Sequence, residues 1–138
     1  MIIMNQLDIP AVITNLPEVL AFIGKHLDEV GCSTSDRYKI EVAAEEVFTN
    51  ISSYAYNPEV GSASVRVEIL NDPITVEISF IDNGVKYDPL ARPDPNTSLS
   101  AKERKRGGLG IFMTKKFMDD VNYEYKDGQN ILTLKKTV

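Results

Sequence analysis

Two segments of the chain carry apolar residues at the three- and four-residue spacing of a helix. The first lies between Pro17 and Gly31, and a proline near the start with a glycine past the end is typical of a helix. The second is predicted to begin after Ser35, as the N-cap, and to run to about Tyr56, where Asn57-Pro58 ends it. Its core-facing side is predicted to consist of Ile40, Ala44, Val47, Phe48, Ile51 and Ala55.

The other patterned segments predict strands and one further short helix. The predicted strands cover residues 1–9, 63–70, 74–81, 122–125 and 131–135, and Asp127-Gly128 is a hairpin signal between the last two. A short helix is predicted to follow the glycine run 107–110 and to end at Met118. This order of elements predicts an α+β fold, a two-layer sandwich in which helices cover one face of a mixed, mostly antiparallel sheet.

The composition narrows the class of protein. With 138 residues, 43% hydrophobic and 25% charged, the chain is predicted to be a single soluble domain over residues 1–138. Its apolar runs are too short to cross a bilayer and it begins without a signal pattern, so we expect a cytoplasmic protein that does not bind membranes. A net charge of −5 argues against direct nucleic-acid binding. One cysteine and one histidine exclude a disulfide framework and a histidine-rich metal site.

One helix carries a candidate polar pair. Glu46 and Asn50 lie four residues apart at the flank of the apolar stripe, so they share one face of the predicted helix. An asparagine carbonyl suits a hard cation such as Mg²⁺, and a glutamate offers a base for a water or a hydroxyl. The alternative is a solvated pair of surface side chains, since this spacing is common.

A second candidate lies where the predicted strand 74–81 ends, at Asp82-Asn83-Gly84. Asp82 can accept a hydrogen bond from an exocyclic amine such as that of adenine. Gly84 permits a sharp turn or the close approach of a ligand. The alternative is a plain turn at the end of a strand.

A third candidate is the glycine run 107–110 in front of the short helix. Backbone N–H groups at a helix start, unobstructed by side chains, form an anion site. The long loop before it carries Lys102, Arg104, Lys105 and Arg106, whose positive charge suggests a phosphate ligand. The alternative is a flexible loop with a solvated charge run. The spacing is neither a Walker A motif nor a dinucleotide fingerprint.

Taken together, residues 46–50, 82–89 and 107–111 resemble the three ATP-binding boxes of the GHKL (Bergerat-fold) ATPase and kinase superfamily. Nearly the whole chain is similar to a small stand-alone branch of it, the bacterial anti-sigma factor serine/threonine kinases of the RsbW and SpoIIAB type. Two positions after Asn50 depart from the family pattern. Ile51 occupies the position of a small residue, and Tyr54 occupies the position of a histidine. Lys86 replaces a glycine that is common in larger members.

The resemblance implies a role for each motif. Glu46 is the implied general base for a protein serine, Asn50 the implied Mg²⁺ ligand that bridges to the phosphates of ATP, and Asp82 the implied adenine anchor. Gly84 would let the base sit close, and residues 94–106 would form the lid over ATP. The full ATP-binding set that the resemblance implies is Asn50, Asp82, Gly84, Arg106, Gly107, Gly108, Leu109, Gly110 and Thr133, the last as support for the adenine pocket.

The resemblance also implies partners. A kinase of this type binds a sigma factor and phosphorylates a serine on an anti-anti-sigma protein of the STAS fold, and its relatives form homodimers. One alternative is a non-enzymatic module in which ATP orders a surface that holds a partner without phosphate transfer. A second is the catalytic domain of a sensor histidine kinase. That needs a phosphoacceptor histidine on a dimerisation helix, whereas His26 precedes Leu27 and is interpreted as a structural or surface residue.

Overall fold

The computed structural model describes residues 3–56, 61–91 and 108–138. In chain order the main elements are β1 (Ile3–Pro10), α1 (Leu16–Glu29), α2 (Thr34–Asn50), β2 (Ser62–Leu70), β3 (Thr75–Asp82), α3 (Gly108–Phe117), β4 (Asp120–Lys126) and β5 (Gln129–Thr137). The strands form one open sheet in the order β1-β2-β3-β5-β4. The predicted α+β class is confirmed. All four strand pairings are antiparallel, whereas the predicted mixed sheet allowed a parallel pair.

Strand alternation separates an apolar face of the sheet from a polar one. Val67 pairs with Ile78, and Phe80 pairs with Leu132; all four side chains are buried in the core. The core stripe predicted for the second helix is also buried at all six positions. The helices therefore cover one face of the sheet, as the alternation predicts.

The opposite face of the sheet carries polar side chains that bond across neighbouring strands. The Ser64 hydroxyl donates to Asp8 at 2.6 Å, and the Arg66 guanidinium donates to Gln6 at 3.1 Å. Such pairs suit a face in contact with water.

The boundaries of the second helix differ from the prediction at both ends. The N-cap is Ser33, whose Oγ accepts a hydrogen bond from the backbone N–H of Asp36 at 3.1 Å, and not Ser35. The α-helix ends at Asn50 and continues as a π-helical turn over Ile51–Ala55. The predicted stop at Asn57-Pro58 lies outside the described residues. No helix in the described ranges is long and apolar enough to span a bilayer.

His26 is a buried polar residue of the first helix. His26 is only 2% exposed, and among the described residues neither of its ring nitrogens has a hydrogen-bond partner, although a Glu29 carboxylate oxygen lies 3.8 Å from Nδ1. Its ring packs edge-on against Phe22, with centroids 5.1 Å apart. Burial lowers the pKa of His26 below its ordinary value, although the nearby Glu29 carboxylate opposes this effect. His26 is thus a core residue whose charged form the fold disfavours.

The free energy of unfolding is expected to fall as pH drops through 6.5, the ordinary pKa of histidine. The reason is that the unfolded chain binds a proton on His26 that the folded chain resists. His26→Leu should remove this dependence and raise stability at pH 7.5 by about 1 kcal/mol, because two unpaired buried nitrogens are lost. Urea unfolding of both chains at pH 7.5 and 5.5 tests this, and equal losses on acidification would contradict it.

Candidate active site

A cavity lies between the C-terminal half of α2, the paired ends of β3 and β5, and the first turn of α3. The space inside it, including its open mouth, is about 450 Å³. Apolar side chains such as Val47, Phe80 and Leu132 form most of its wall. The described polar residues in the wall include Asn50, Asp82 and Asn130, together with tyrosines. Ile51 and Tyr54, which depart from the family pattern, also line it.

Asp82 is the last residue of β3 and is 4% exposed. Its Oδ1 accepts hydrogen bonds from the backbone N–H of Gly84 at 2.9 Å and from the Asn130 side-chain amide at 3.0 Å. Both of these bonds go to the same carboxylate oxygen. The carboxylate is therefore held in one orientation at the wall of the cavity.

Asn130 is the residue that sequence reasoning missed. The predicted adenine-pocket residue, Thr133, pairs with Ser79, with the two hydroxyls 3.1 Å apart on the polar face of the sheet. It therefore does not line the cavity, and that prediction is wrong. The strand alternates, and Leu132 and Leu134 point to the core, so the same face carries residue 130. That alternation was a usable signal for Asn130.

The Asn130 amide is saturated with hydrogen bonds. Its Nδ2 donates to Asp82 and to the carbonyl of Val85 at 2.9 Å. Its Oδ1 accepts from the backbone N–H of Tyr87 at 3.1 Å and from the Tyr123 hydroxyl. Two donors and two acceptor positions are all that an asparagine amide offers. Asn130 therefore joins β4, β5, the end of β3 and the chain that follows it.

Gly84 is required by the packing of the protein itself. A Cβ at this position would lie 2.3 Å from the carbonyl oxygen of Ala55. The same oxygen accepts a hydrogen bond from the backbone N–H of Val85 at 2.9 Å. The turn after Asp82 thus packs directly against the π-helical turn, and the direction in which a Gly84 side chain would point is filled by the Ala55 backbone.

Glu46 has the environment of a base with a perturbed pKa. Within the described ranges its Oε1 is buried and has no hydrogen-bond partner. Burial raises the pKa of the Glu46 carboxyl; the hydrogen bond with the Asn50 side chain opposes the effect, and the charge of Glu45 adds to it. A carboxylate with a raised pKa accepts a proton more readily near neutral pH.

The first turn of α3 lies directly against this carboxylate. A Cβ added at Gly110 would lie 2.0 Å from Cδ of Glu46, so only glycine fits here without movement. The sequence motifs on α2 and α3 are therefore adjacent in space. Of the other predicted phosphate residues, Gly108 begins α3. Arg106, Gly107 and the predicted lid at 94–106 lie outside the described residues, as does the side chain of Leu109.

The donor set suits a magnesium ion that is shared with a phosphate ligand. Asn50 lines the cavity four residues after Glu46 and offers a hard amide oxygen. The described residues contain no group of three or more His, Cys, Asp or Glu that could hold a metal ion alone. Mg²⁺ is commonly held by one or two protein ligands together with substrate phosphates and water, so Asn50 fits this role.

The sequence of this chain is similar to those of known protein kinases and anti-sigma factors. The family model described as "Histidine kinase-like ATPase domain" matches residues 9–136. The chain is 31% identical over 98 residues to the serine/threonine-protein kinase BtrW of Bordetella bronchiseptica, covering 71% of this chain and 68% of the relative. It is 29% identical over 93 residues to the anti-sigma F factor of Caldanaerobacter subterraneus, covering 67% and 64%. It is 27% identical over 112 residues to the serine-protein kinase RsbW of Bacillus cereus, covering 78% and 69%.

Two solved structures share the fold. The RsbU and RsbW domains of a Mycobacterium tuberculosis protein match with a TM-score of 0.68 at 20% identity, covering 98% of this chain and 32% of that one. A chain of the SiaB–SiaC complex from Pseudomonas aeruginosa matches with a TM-score of 0.58 at 17% identity, covering 97% of this chain and 89% of that one.

The fold, the cavity and these relatives together define an ATP-using protein kinase. The chain belongs to the histidine kinase-like ATPase domain family, within the GHKL superfamily and its branch of anti-sigma factor serine/threonine kinases.

Proposed function

We propose that this kinase transfers the γ-phosphoryl group of ATP to a serine of a STAS-domain anti-anti-sigma protein, and that it also binds a sigma factor. The names of the relatives support this assignment. The observation that carries it is the contact between Gly110 and the Glu46 carboxylate, close to a cavity that is lined by Asn50, Asp82 and Ile111. One nucleotide in that cavity would reach all three motifs.

The adenine base and the phosphates of ATP would bind at opposite ends of the cavity. Asp82 would accept a hydrogen bond from the adenine amine through Oδ2, since its described hydrogen bonds occupy Oδ1. The first N–H groups of α3 have no partners within the helix and would donate to the phosphates. When bound through Asn50, Mg²⁺ would neutralise charge on the phosphates.

Glu46 would act on the protein substrate. As the serine Oγ bonds to the γ-phosphorus and the bond to the β-phosphate oxygen breaks, the hydroxyl proton passes to the Glu46 carboxylate. ADP leaves and phosphoserine remains. Burial of Glu46 suits this step, because a raised pKa strengthens the base.

The test is transfer of label from γ-labelled ATP with Mg²⁺ to a STAS-domain protein encoded near this gene. Label on a serine is expected, and replacing that serine by alanine should abolish it. Nucleotide-dependent capture of the STAS protein without any label would overturn the transfer step. That outcome would favour the non-enzymatic module in which ATP only gates partner binding.

The proposal includes a homodimer located in the cytoplasm, where sigma factors act, with no direct contact to nucleic acid or membrane. Within the part of the chain that the structure describes, β1 pairs with β2 on one side only, so its other edge is free of strand pairing there. We expect sedimentation equilibrium at micromolar concentration to give twice the 15.4 kDa chain mass. A monomer mass across the micromolar range would contradict the dimer.

A further inference from the structure

Tyr56, the residue after the π-helical turn, bonds to two separate parts of the chain. Its hydroxyl donates to the backbone carbonyl of Ser62 at 2.7 Å, at the start of β2. The same hydroxyl accepts a hydrogen bond from the backbone N–H of Asn83 at 2.8 Å, immediately after Asp82. One side chain thus links the end of the Asn50-bearing helix to the turn that carries Asp82.

The ring of Tyr56 is held in place independently of its hydroxyl. A Cβ added at Gly61 would lie 2.3 Å from a ring carbon, so the ring packs directly on the glycine. Because the ring is fixed by this packing, the position of the hydroxyl is fixed as well. The hydroxyl therefore acts as a preorganised acceptor for the Asn83 N–H.

Two further contacts close the same junction. The backbone N–H of Val85 donates to the carbonyl of Ala55 at 2.9 Å, and Gly84 lies against the Ala55 backbone. The Asp82 turn is therefore bonded to the π-helical turn on one side and to Asn130 on the other. The described wall of the cavity does not include Tyr56. Any effect of Tyr56 on a nucleotide must pass through the residues that it holds.

We propose that Tyr56 is a positioning residue. It fixes the position of the Asp82 carboxylate relative to the helix that carries Asn50, so that one nucleotide can contact Asp82 with its purine base and Asn50 with its phosphates. This rests on the proposed ATP site. A substitution that removes only the hydroxyl should let the turn move and weaken ATP binding, although no atom that touches ATP has changed.

Tyr56→Phe keeps the ring and removes both hydrogen bonds of the hydroxyl. We expect it to weaken ATP binding in calorimetry by about fivefold to tenfold, the size of one lost hydrogen bond. Tyr38→Phe is the matched control. Tyr38 lies on α2, is 63% exposed, and packs its ring against Phe117 of α3. It should leave the affinity unchanged.

A double-mutant cycle separates positioning from a merely structural role. If Tyr56 acts through Asp82, Tyr56→Phe should cost nothing further in an Asp82→Ala background. An equal loss of affinity in both backgrounds would overturn the proposal, as would equal ATP affinity of Tyr56→Phe and the wild type.

Hydrogen exchange provides a readout that needs no variant. ATP bound at Asp82 should slow exchange of the Asn83 amide in the wild type, and an unchanged rate in the ATP-bound protein would count against the proposal. Failure of the wild type to bind ATP at all would instead overturn the proposed function, and the Tyr56 proposal with it.

Discussion

Glu46→Gln is expected to slow phosphoryl transfer to the partner serine by about 10²- to 10⁴-fold, the usual contribution of a general base. The variant keeps the shape of the side chain but cannot take the serine proton. ATP affinity should stay within about threefold, because the proposed nucleotide contacts of Asp82, Asn50 and the α3 amides remain. Single-turnover transfer and calorimetric ATP binding measure the two effects separately.

Glu45, the residue before Glu46, supplies the matched control for the Glu46→Gln experiment. Glu45 is exposed on the same helix, so Glu45→Gln should transfer phosphate at close to the wild-type rate. If both variants lose activity equally, Glu46 is not the base. If neither does, the base lies elsewhere.

The same substitution should stabilise the protein at neutral pH. Burial raises the pKa of Glu46, so ionisation costs more in the folded chain than in the unfolded one. The penalty is absent well below pH 4.5, the ordinary pKa of glutamate, and grows as pH rises toward the raised value. Glu46→Gln should therefore exceed the wild type in thermal stability at pH 7.5 but not at pH 4.

Gly110→Ala is expected to give the second large effect. The added Cβ would lie 2.0 Å from Cδ of Glu46, so either the carboxylate or the start of α3 must move. Both movements separate the base from the phosphate-binding turn, and we expect phosphoryl transfer to fall by at least about tenfold. Stability should change little, because the helix propensity of alanine, about 1 kcal/mol better than glycine, offsets part of the strain.

A double variant distinguishes this clash from a general defect of α3. Glu46→Ala removes the atoms that the new Cβ would meet, so adding Gly110→Ala to that background should not slow the residual phosphoryl transfer any further. A further loss in the double variant would show that Gly110 matters for a reason other than its contact with Glu46.

The fold was largely predictable because its elements carry local signals. Pro17 lies in the first turn of α1, and Gly31 follows the helix with φ +67°. Asp127 and Gly128 both have positive φ, as a tight hairpin turn requires. Alternation and capping chemistry act over a few residues, so they can be read without tertiary contacts. The error at Ser35 reflects two serines in one short segment, only one of which reaches the Asp36 amide.

The site was predictable in its motifs but not in its contacts. Thr133 and Asn130 differ in which face of the sheet they occupy, and that depends on which residues of β5 point to the core. Gly84 was expected to make room for a base, yet its neighbour is the Ala55 backbone, which the sequence places 29 residues earlier. Likewise the link from Tyr56 to Asn83 is a tertiary contact without a local pattern.

A crystal structure with Mg²⁺ and a non-hydrolysable ATP analogue tests the proposed ATP site most directly. We expect the adenine amine on the Asp82 carboxylate, the phosphates over the first turn of α3, and the γ-phosphate between Asn50 and Glu46. A nucleotide bound outside this cavity, or inside it with the adenine turned away from Asp82, would contradict the proposed ATP site.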